Sequence, residues 1–368
     1  MLSFTFGNIK LCEICINFKC LEIFKAPLLG ALEVLSLRKF VVLLALAVAV
    51  LIISGCIGGN VPTKMPTESE VQETTPQENT QSETQEEYGT WASPWDVSKP
   101  IEIKGKKYHI ASLRYEYKVR YPGSNEVKEY TVIKERKKAK IEVYGSSFNS
   151  ESGEIEKVKI GEYEVYEYYT ELIPKNGDVL EVYVWTNGES DVMDMYFTFP
   201  VPATMIFAGQ NFVAIKLISG DKMYEMYNPA GVGNYNYMPY ENGDLGWFTN
   251  SEEVENLYGS FFAVYQFPFW SALEEENLYT PAEESFSYMG ISYNYRITPQ
   301  STVVVAGHKF RTSKVEWTYS FTGQGSAKGY AVLTSSLPVP LQLEGVFAVQ
   351  GQAWYAYMKL LDIGLKEA

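Results

Sequence analysis

The chain has 368 residues and a formal net charge of −14. Past Cys56 there are 42 acidic against 26 basic side chains, a balance that repels phosphate backbones and argues against nucleic acid as a partner. Its four cysteines are Cys12, Cys15, Cys20 and Cys56. Everything after Cys56 therefore lacks disulfides, free thiols and cysteine ligands for a metal, and no cofactor is expected.

Residues 1–34 precede the first basic pair and are read as an extension from a start codon assigned too early. The Cys12-x-x-Cys15 pair has no second pair and no nearby histidine, so a metal site there is not expected. Arg38 and Lys39 then open a cationic flank, followed by 14 apolar residues at 40–53. That run suits the core of a secretory signal and is shorter than the ~20 residues of a spanning helix. Ile53-Ser54-Gly55-Cys56 resembles a lipobox, and with the Thr/Glu-rich segment behind it the stretch looks like archaeal-type membrane-anchored surface lipoproteins. The resemblance implies cleavage before Cys56 and lipidation of Cys56. The other reading is an uncleaved N-terminal helix, since 40–58 is nearly long enough to span. Either way the partner is a membrane and the bulk of the chain is expected on its extracellular face.

Residues 56–90 form the lipidated cysteine and a stalk. Seven glutamates against Lys64, with Thr, Gln, Pro and Ser, cannot bury enough apolar surface to order the segment, and like charges extend it.

The remaining chain is expected to be mostly β with a minor α insert: two related antiparallel β-meander or half-barrel units, 91–200 and 301–368, around a helix-bearing middle at 201–300. Leu113, Tyr115, Tyr117 and Val119 alternate with Arg114, Glu116 and Lys118, a turn follows at 121–124, and Tyr130 and Val132 return. Further strands are read at 140–144, 162–172 and 179–185. Gly105, Lys107, Tyr108, Leu113, Tyr115 and Tyr117 match Gly307, Lys309, Phe310, Val315, Trp317 and Tyr319 at a constant offset. After the hairpin the offset shortens by two, pairing Tyr130, Val132, Ile141, Val143 and Gly145 with Tyr330, Val332, Leu341, Leu343 and Gly345, which points to an internal repeat. The two Pro-Val-Pro runs, at 200–202 and 338–340, mark edges or bulges because proline donates nothing to a sheet ladder.

In the middle, Asn250 and Glu253 read as a capping box, and Val254, Leu257, Tyr258 and Phe261 follow helical spacing. A second helix is expected at 269–278. Residues 224–247 read as a Tyr/Asn/Gly-rich loop, and Tyr235, Tyr237, Tyr240, Trp247 and Phe248 are the candidate ligand-binding residues, as rings for stacking on sugars or apolar groups.

No catalytic residues are assigned. His109 and His308 read as strand-surface residues. The acidic clusters Glu252/Glu253, 274–276 and Glu283/Glu284 read as solvated faces. The expected role is non-catalytic binding or cell-envelope interaction, with an apolar or glycan ligand. A curved sheet capped by a helix resembles bacterial lipoprotein-carrier proteins in architecture alone. The alternatives are a transporter's solute-binding lipoprotein, for which the β/α alternation is missing, and a surface hydrolase, which needs two carboxylates about 5–10 Å apart.

Overall fold

The computed structural model describes residues 96–201, 212–265, 278–288, 290–321, 325–349 and 351–368. The anchor run, Cys12, Cys15, Cys20, Cys56, the stalk, Glu274–Glu276 and most of the helix expected at 269–278 lie outside them. Among the described residues no helix is long and apolar enough to cross a membrane.

The fold is mostly β, one antiparallel sheet of 14 strands with a few short helices. In chain order the strands are β1 (Ile101–Ile103), β2 (Lys106–Arg120), β3 (Lys128–Phe148), β4 (Ile155–Pro174), β5 (Leu180–Thr186), β6 (Phe212–Ser219), β7 (Lys222–Tyr227), β8 (Met238–Gly243), β9 (Ala282–Tyr288), β10 (Ile291–Val305), β11 (His308–Phe321), β12 (Gly325–Leu333), β13 (Gln342–Val349) and β14 (Gln352–Glu367). Helix α1 (Asp191–Phe197) follows β5, and α2 (Gly246–Thr249) and α3 (Glu252–Tyr265) follow β8.

The early and late strands join directly, because β14 pairs with β2 from Tyr355–Arg120 to Glu367–Tyr108. From there the sheet runs outward through β13, β12, β11 and β10 to β9. In the other direction it runs through β3, β4, β5, β6 and β7 to β8, and β8 returns to β3 at Gly145–Pro239 and Ser146–Met238. This closes a ring of six strands. The closure depends on the length of β3. Its first half is occupied by β2 up to Glu135, and its second half leaves that edge open for β8. A closed ring removes one of the two exposed sheet edges that would otherwise recruit other chains.

Alternation decides the faces. Tyr115, Tyr117 and Val119 of β2, Val132 of β3, Leu172 of β4, Val182 and Val184 of β5, Trp317 of β11 and Met358 of β14 join one large core on the inner face. Helix α3 packs into it against β14, β13, β12 and β2 through Leu257 and Phe261, and the Phe261 ring lies 4.7 Å from that of Phe199. A second, smaller core of Val143, Val165 and Val213 sits where the six-stranded ring closes. On β3, Lys134 and Arg136 differ in parity from Ala139, Ile141 and Val143. One strand therefore serves both cores, from opposite faces.

The helix begins one residue later than the Asn250/Glu253 capping box predicts. Ser251 Oγ accepts the Val254 N–H at 3.4 Å, the bond expected of a helix cap. Asn250 instead closes α2, and Glu253 accepts the Tyr130 hydroxyl at 2.7 Å. The loop expected at 224–247 carries β8, which pairs with β7 from Tyr224–Gly243 to Tyr227–Tyr240. Met238 and Tyr240 share one face of β8, a short alternation that the surrounding Asn and Gly content obscures.

The positions matched in sequence share backbone conformation at their turns. Lys104 and Gly105, like Ala306 and Gly307, all have φ between 50° and 78°, the mirror-image two-residue turn that fits a twisted hairpin. Beyond the turns the two segments diverge. β3 continues straight past Lys137, whereas the chain from Thr334 to Pro340, buried throughout, turns back so that β13 pairs with β12.

Candidate functional site

The buried charges among the described residues are Lys134 and Arg136 on β3 and Asp194 on α1. Arg136 donates to Ile110 O at 2.8 Å, Val97 O at 2.5 Å and Asp194 Oδ1 at 2.6 Å. Asp194, on α1, also accepts the Tyr168 hydroxyl at 3.0 Å, and Tyr168 in turn accepts the Ser190 N–H at 3.2 Å. Burial raises the Asp194 carboxyl above its ordinary range, against the opposing pull of Arg136 and Tyr168. Lys134 donates to Val201 O at 2.7 Å and Tyr196 O at 3.4 Å, and burial pushes it down to about 7. A lysine depressed this far is a common catalytic feature. Here its donors are spent on backbone carbonyls at the end of α1, and the space beside it, about 10 Å³, is far too small for a substrate. These groups fasten α1 and the entering chain at Val97 to β3.

The five predicted ligand-binding aromatics separate. Phe248 is in the large core, and Trp247 packs against that core with its ring 5.8 Å from Phe248, edge to face. Both are structural. Tyr235 is 81% exposed. Tyr237 lies against Gly145, where an added Cβ would come within 2.7 Å of it. Tyr240 faces Tyr227 across the β7–β8 pair.

An open groove of about 620 Å³ lies elsewhere, on the outer face of β9–β13. Strand register builds its lining. One row runs Glu283, Arg296, Glu316, Tyr330, Glu344 across β9, β10, β11, β12 and β13 and continues to Tyr357 and Lys118. The neighbouring row runs Asn294, Thr318, Lys328, Val346. Opposite charges and tyrosines thus stand directly across from one another, the arrangement that stabilises adjacent strands. Glu344 accepts the Tyr330 hydroxyl at 2.8 Å and the Tyr355 hydroxyl at 3.2 Å, and Gln342 donates to Tyr330 at 2.5 Å. Glu316 pairs with Lys314 at 3.0 Å and Glu283 with Arg296 at 3.2 Å. Burial first, and then the Glu344 bond, hold the Tyr330 phenol well above its usual range, so it stays a neutral donor.

Beneath this floor the inner face needs glycine. Trp317, Gly329 and Gly345 are in one register row, and a Cβ on Gly329 would meet Glu344 O at 2.2 Å and the Trp317 ring at 2.7 Å. The indole therefore lies across two glycines, which leave it the space a Cβ would take.

Of these residues the sequence offers only Glu283 as a site candidate, within an acidic cluster; Trp317, Tyr330 and Gly345 enter only as positions of the internal match. Lys314, Glu316 and Thr318, and then Gln342, Glu344 and Val346, alternate with core residues, which puts each set on one face. Nothing in the sequence says that the two sets share one patch. His109 faces Lys366 across β2–β14, and His308 lies 6.4 Å from Phe310. No group of three potential metal ligands occurs among the described residues. Compared with family models, curated proteins and solved structures, the chain matches none of them.

Proposed function

We propose that the protein is a membrane-tethered, extracellular binding protein that carries out no reaction, and that its ligand is a polar, hydroxyl-rich molecule of the glycan class held in the groove over β9–β13. The observation that carries this reading is the groove's lining: a tyrosine, carboxylates, cations and amide or hydroxyl groups in two adjacent register rows, open to solvent over about 620 Å³. Sugars are bound by such combinations, with hydroxyls bridging paired charges and a C–H face lying on an aromatic ring.

The hydrolase alternative fares worse at the same place. Glu316 and Glu344 stand two strands apart, about 10 Å by strand spacing, which suits a carboxylate pair. A general acid, however, needs a desolvated carboxyl that keeps its proton. Glu344 accepts the Tyr330 and Tyr355 hydroxyls, Glu316 pairs with Lys314, and both line a groove that is open to solvent, not a desolvated pocket. An apolar ligand would need the inner face, where α3 already packs Leu257 and Phe261.

Titration of the 15N-labelled protein with a panel of neutral and acidic oligosaccharides tests the proposal. Binding should shift amides of β10–β13, and Tyr330→Ala or Glu344→Gln should weaken it at least tenfold. Sugar binding that leaves those amides unmoved, or that survives both substitutions, refutes it.

A further inference from the structure

A second cation-rich feature, separate from the groove, lies at the seam where β8 closes onto β3. Lys157 Nζ is 4.0 Å from the ring centre of Tyr144, 4.4 Å from that of Tyr240 and 5.8 Å from that of Tyr227. The Glu225 carboxylate is 3.6 Å from the same nitrogen. The rings support one another, Tyr144 edge-on to Tyr227 at 5.3 Å and Tyr227 tilted to Tyr240 at 6.3 Å. The five side chains come from β3, β4, β7 and β8, so the enclosure exists only because the ring of strands closes. A lysine that only neutralised Glu225 would need one contact. This one has three aromatic faces around it and still leaves 37% of its side chain exposed.

An aromatic cage attracts a cation through the negative faces of its rings, and the net attraction is greatest when the cation gives up little hydration. A primary ammonium is strongly hydrated, whereas a methylated or quaternary ammonium is not. Lys157 is thus a weak occupant of its own surroundings, and its four-carbon stem lets it leave. Tyr227 and Tyr144 stay neutral at ordinary pH: burial and then Glu225 push Tyr227 up to about 12, and the Glu142 hydrogen bond raises Tyr144. Beside the cage the surface turns apolar. Met238 and Lys157 both face Ser146 from either side, and one step further Phe148 faces Ile155. Phe148, Ile155 and Met238 are half to two-thirds exposed.

We propose that Tyr144, Tyr227, Tyr240 and Glu225 form a binding site for a quaternary or methylated ammonium group, occupied in cis by Lys157, which swings out when the ligand enters. The apolar residues Phe148, Ile155 and Met238 receive the rest of the ligand. The group could belong to a free small molecule or to a methylated lysine side chain, and the two sources present the same cation to the cage.

Calorimetric and 15N NMR titration of the full chain with tetramethylammonium, choline and a short trimethyl-lysine peptide tests this. Lys157→Gln, an exposed change that leaves the rings in place, should bind at least one probe tenfold tighter than the unaltered protein, with shifts confined to β3, β4, β7 and β8. Adding Tyr240→Ala should abolish that gain, and adding Tyr144→Phe should retain it, because the ring face persists without the hydroxyl. Choline tighter than the peptide assigns the site to free molecules, and the reverse order assigns it to a side chain. No gain in K157Q for any probe, or a gain that survives loss of the Tyr240 ring in a still-folded protein, overturns the proposal.

Discussion

Removing the Asp194 carboxylate should cost far more than removing its partner Arg136. The two side chains are 2% and 3% exposed and 2.6 Å apart. In Asp194→Leu the guanidinium keeps only the Ile110 and Val97 carbonyls, and it cannot shed its charge. Leaving one member of a buried pair unmatched costs about 3–5 kcal/mol. At roughly 2–4 °C per kcal/mol for a domain of this size, the melting temperature should fall by about 10 °C. In Arg136→Met the stranded group is a carboxylate, which can take up a proton, and burial already raises its pKa. That variant should lose less at pH 7 and recover as the pH falls. The sign follows from linkage: a carboxyl raised in the folded state binds more protons there than in the unfolded chain, so its stability declines as pH rises through that pKa. The double variant removes both charges and should be more stable than Asp194→Leu alone. Thermal unfolding by near-ultraviolet circular dichroism at pH 4.5 and pH 7 measures all three. A loss under about 1 kcal/mol in Asp194→Leu, or two single losses that simply add in the double, would refute the argument that the pair acts as one buried unit.

Lys134 offers a pH test of opposite sign: neutral when folded above about 7 and charged when unfolded up to the ordinary lysine value of 10.5, it should make stability rise with pH across that window by roughly 1 kcal/mol per unit, and Lys134→Met should flatten the slope in urea titrations. Gly329→Ala should unfold the β11–β13 region or cost several times more than Gly105→Ala, because the first drives a Cβ into Glu344 O and the Trp317 ring while the second meets only the roughly 1–2 kcal/mol strain of a left-handed residue, a contrast that hydrogen exchange of β12 amides resolves. Ser251→Ala should destabilise by about 1 kcal/mol through its lost cap, and Asn250→Ala by much less at the α3 end, as compared by thermal melts.

Much of the fold was legible because alternation is a direct readout of a half-buried strand. The hairpin of Leu113–Val119 with Tyr130 and Val132 appears in register, Tyr115 against Val132 and Tyr117 against Tyr130. The helical spacing of Val254, Leu257, Tyr258 and Phe261 also appears, because each of those positions packs against the large core. What stayed hidden is set by long-range pairing. No local pattern announces that Gly145 and Ser146 pair with Pro239 and Met238 more than 90 residues away, yet those two pairs close the ring and assemble the tyrosines around Lys157. The candidate aromatics mixed two roles for the same reason: Phe248 and Tyr240 are both rings in a Tyr/Asn-rich stretch, and only tertiary context puts one in the core and the other at the seam.

The internal match of 101–145 with 303–345 shows how one pattern supports two outcomes. Lys137, Lys138 and Ala139 let β3 run on for 21 residues, long enough to join two cores and to present a free edge to β8. At the matched place Pro338 and Pro340 have no N–H to continue a ladder, so the chain folds back and β13 lies beside β12. That reversal brings Glu344 across from Tyr330 and Gly345 across from Gly329. The groove follows from the prolines and the ring from their absence. Each candidate site therefore stands on a different outcome of two segments that match in sequence, and loss of ligand binding at one should leave the other intact.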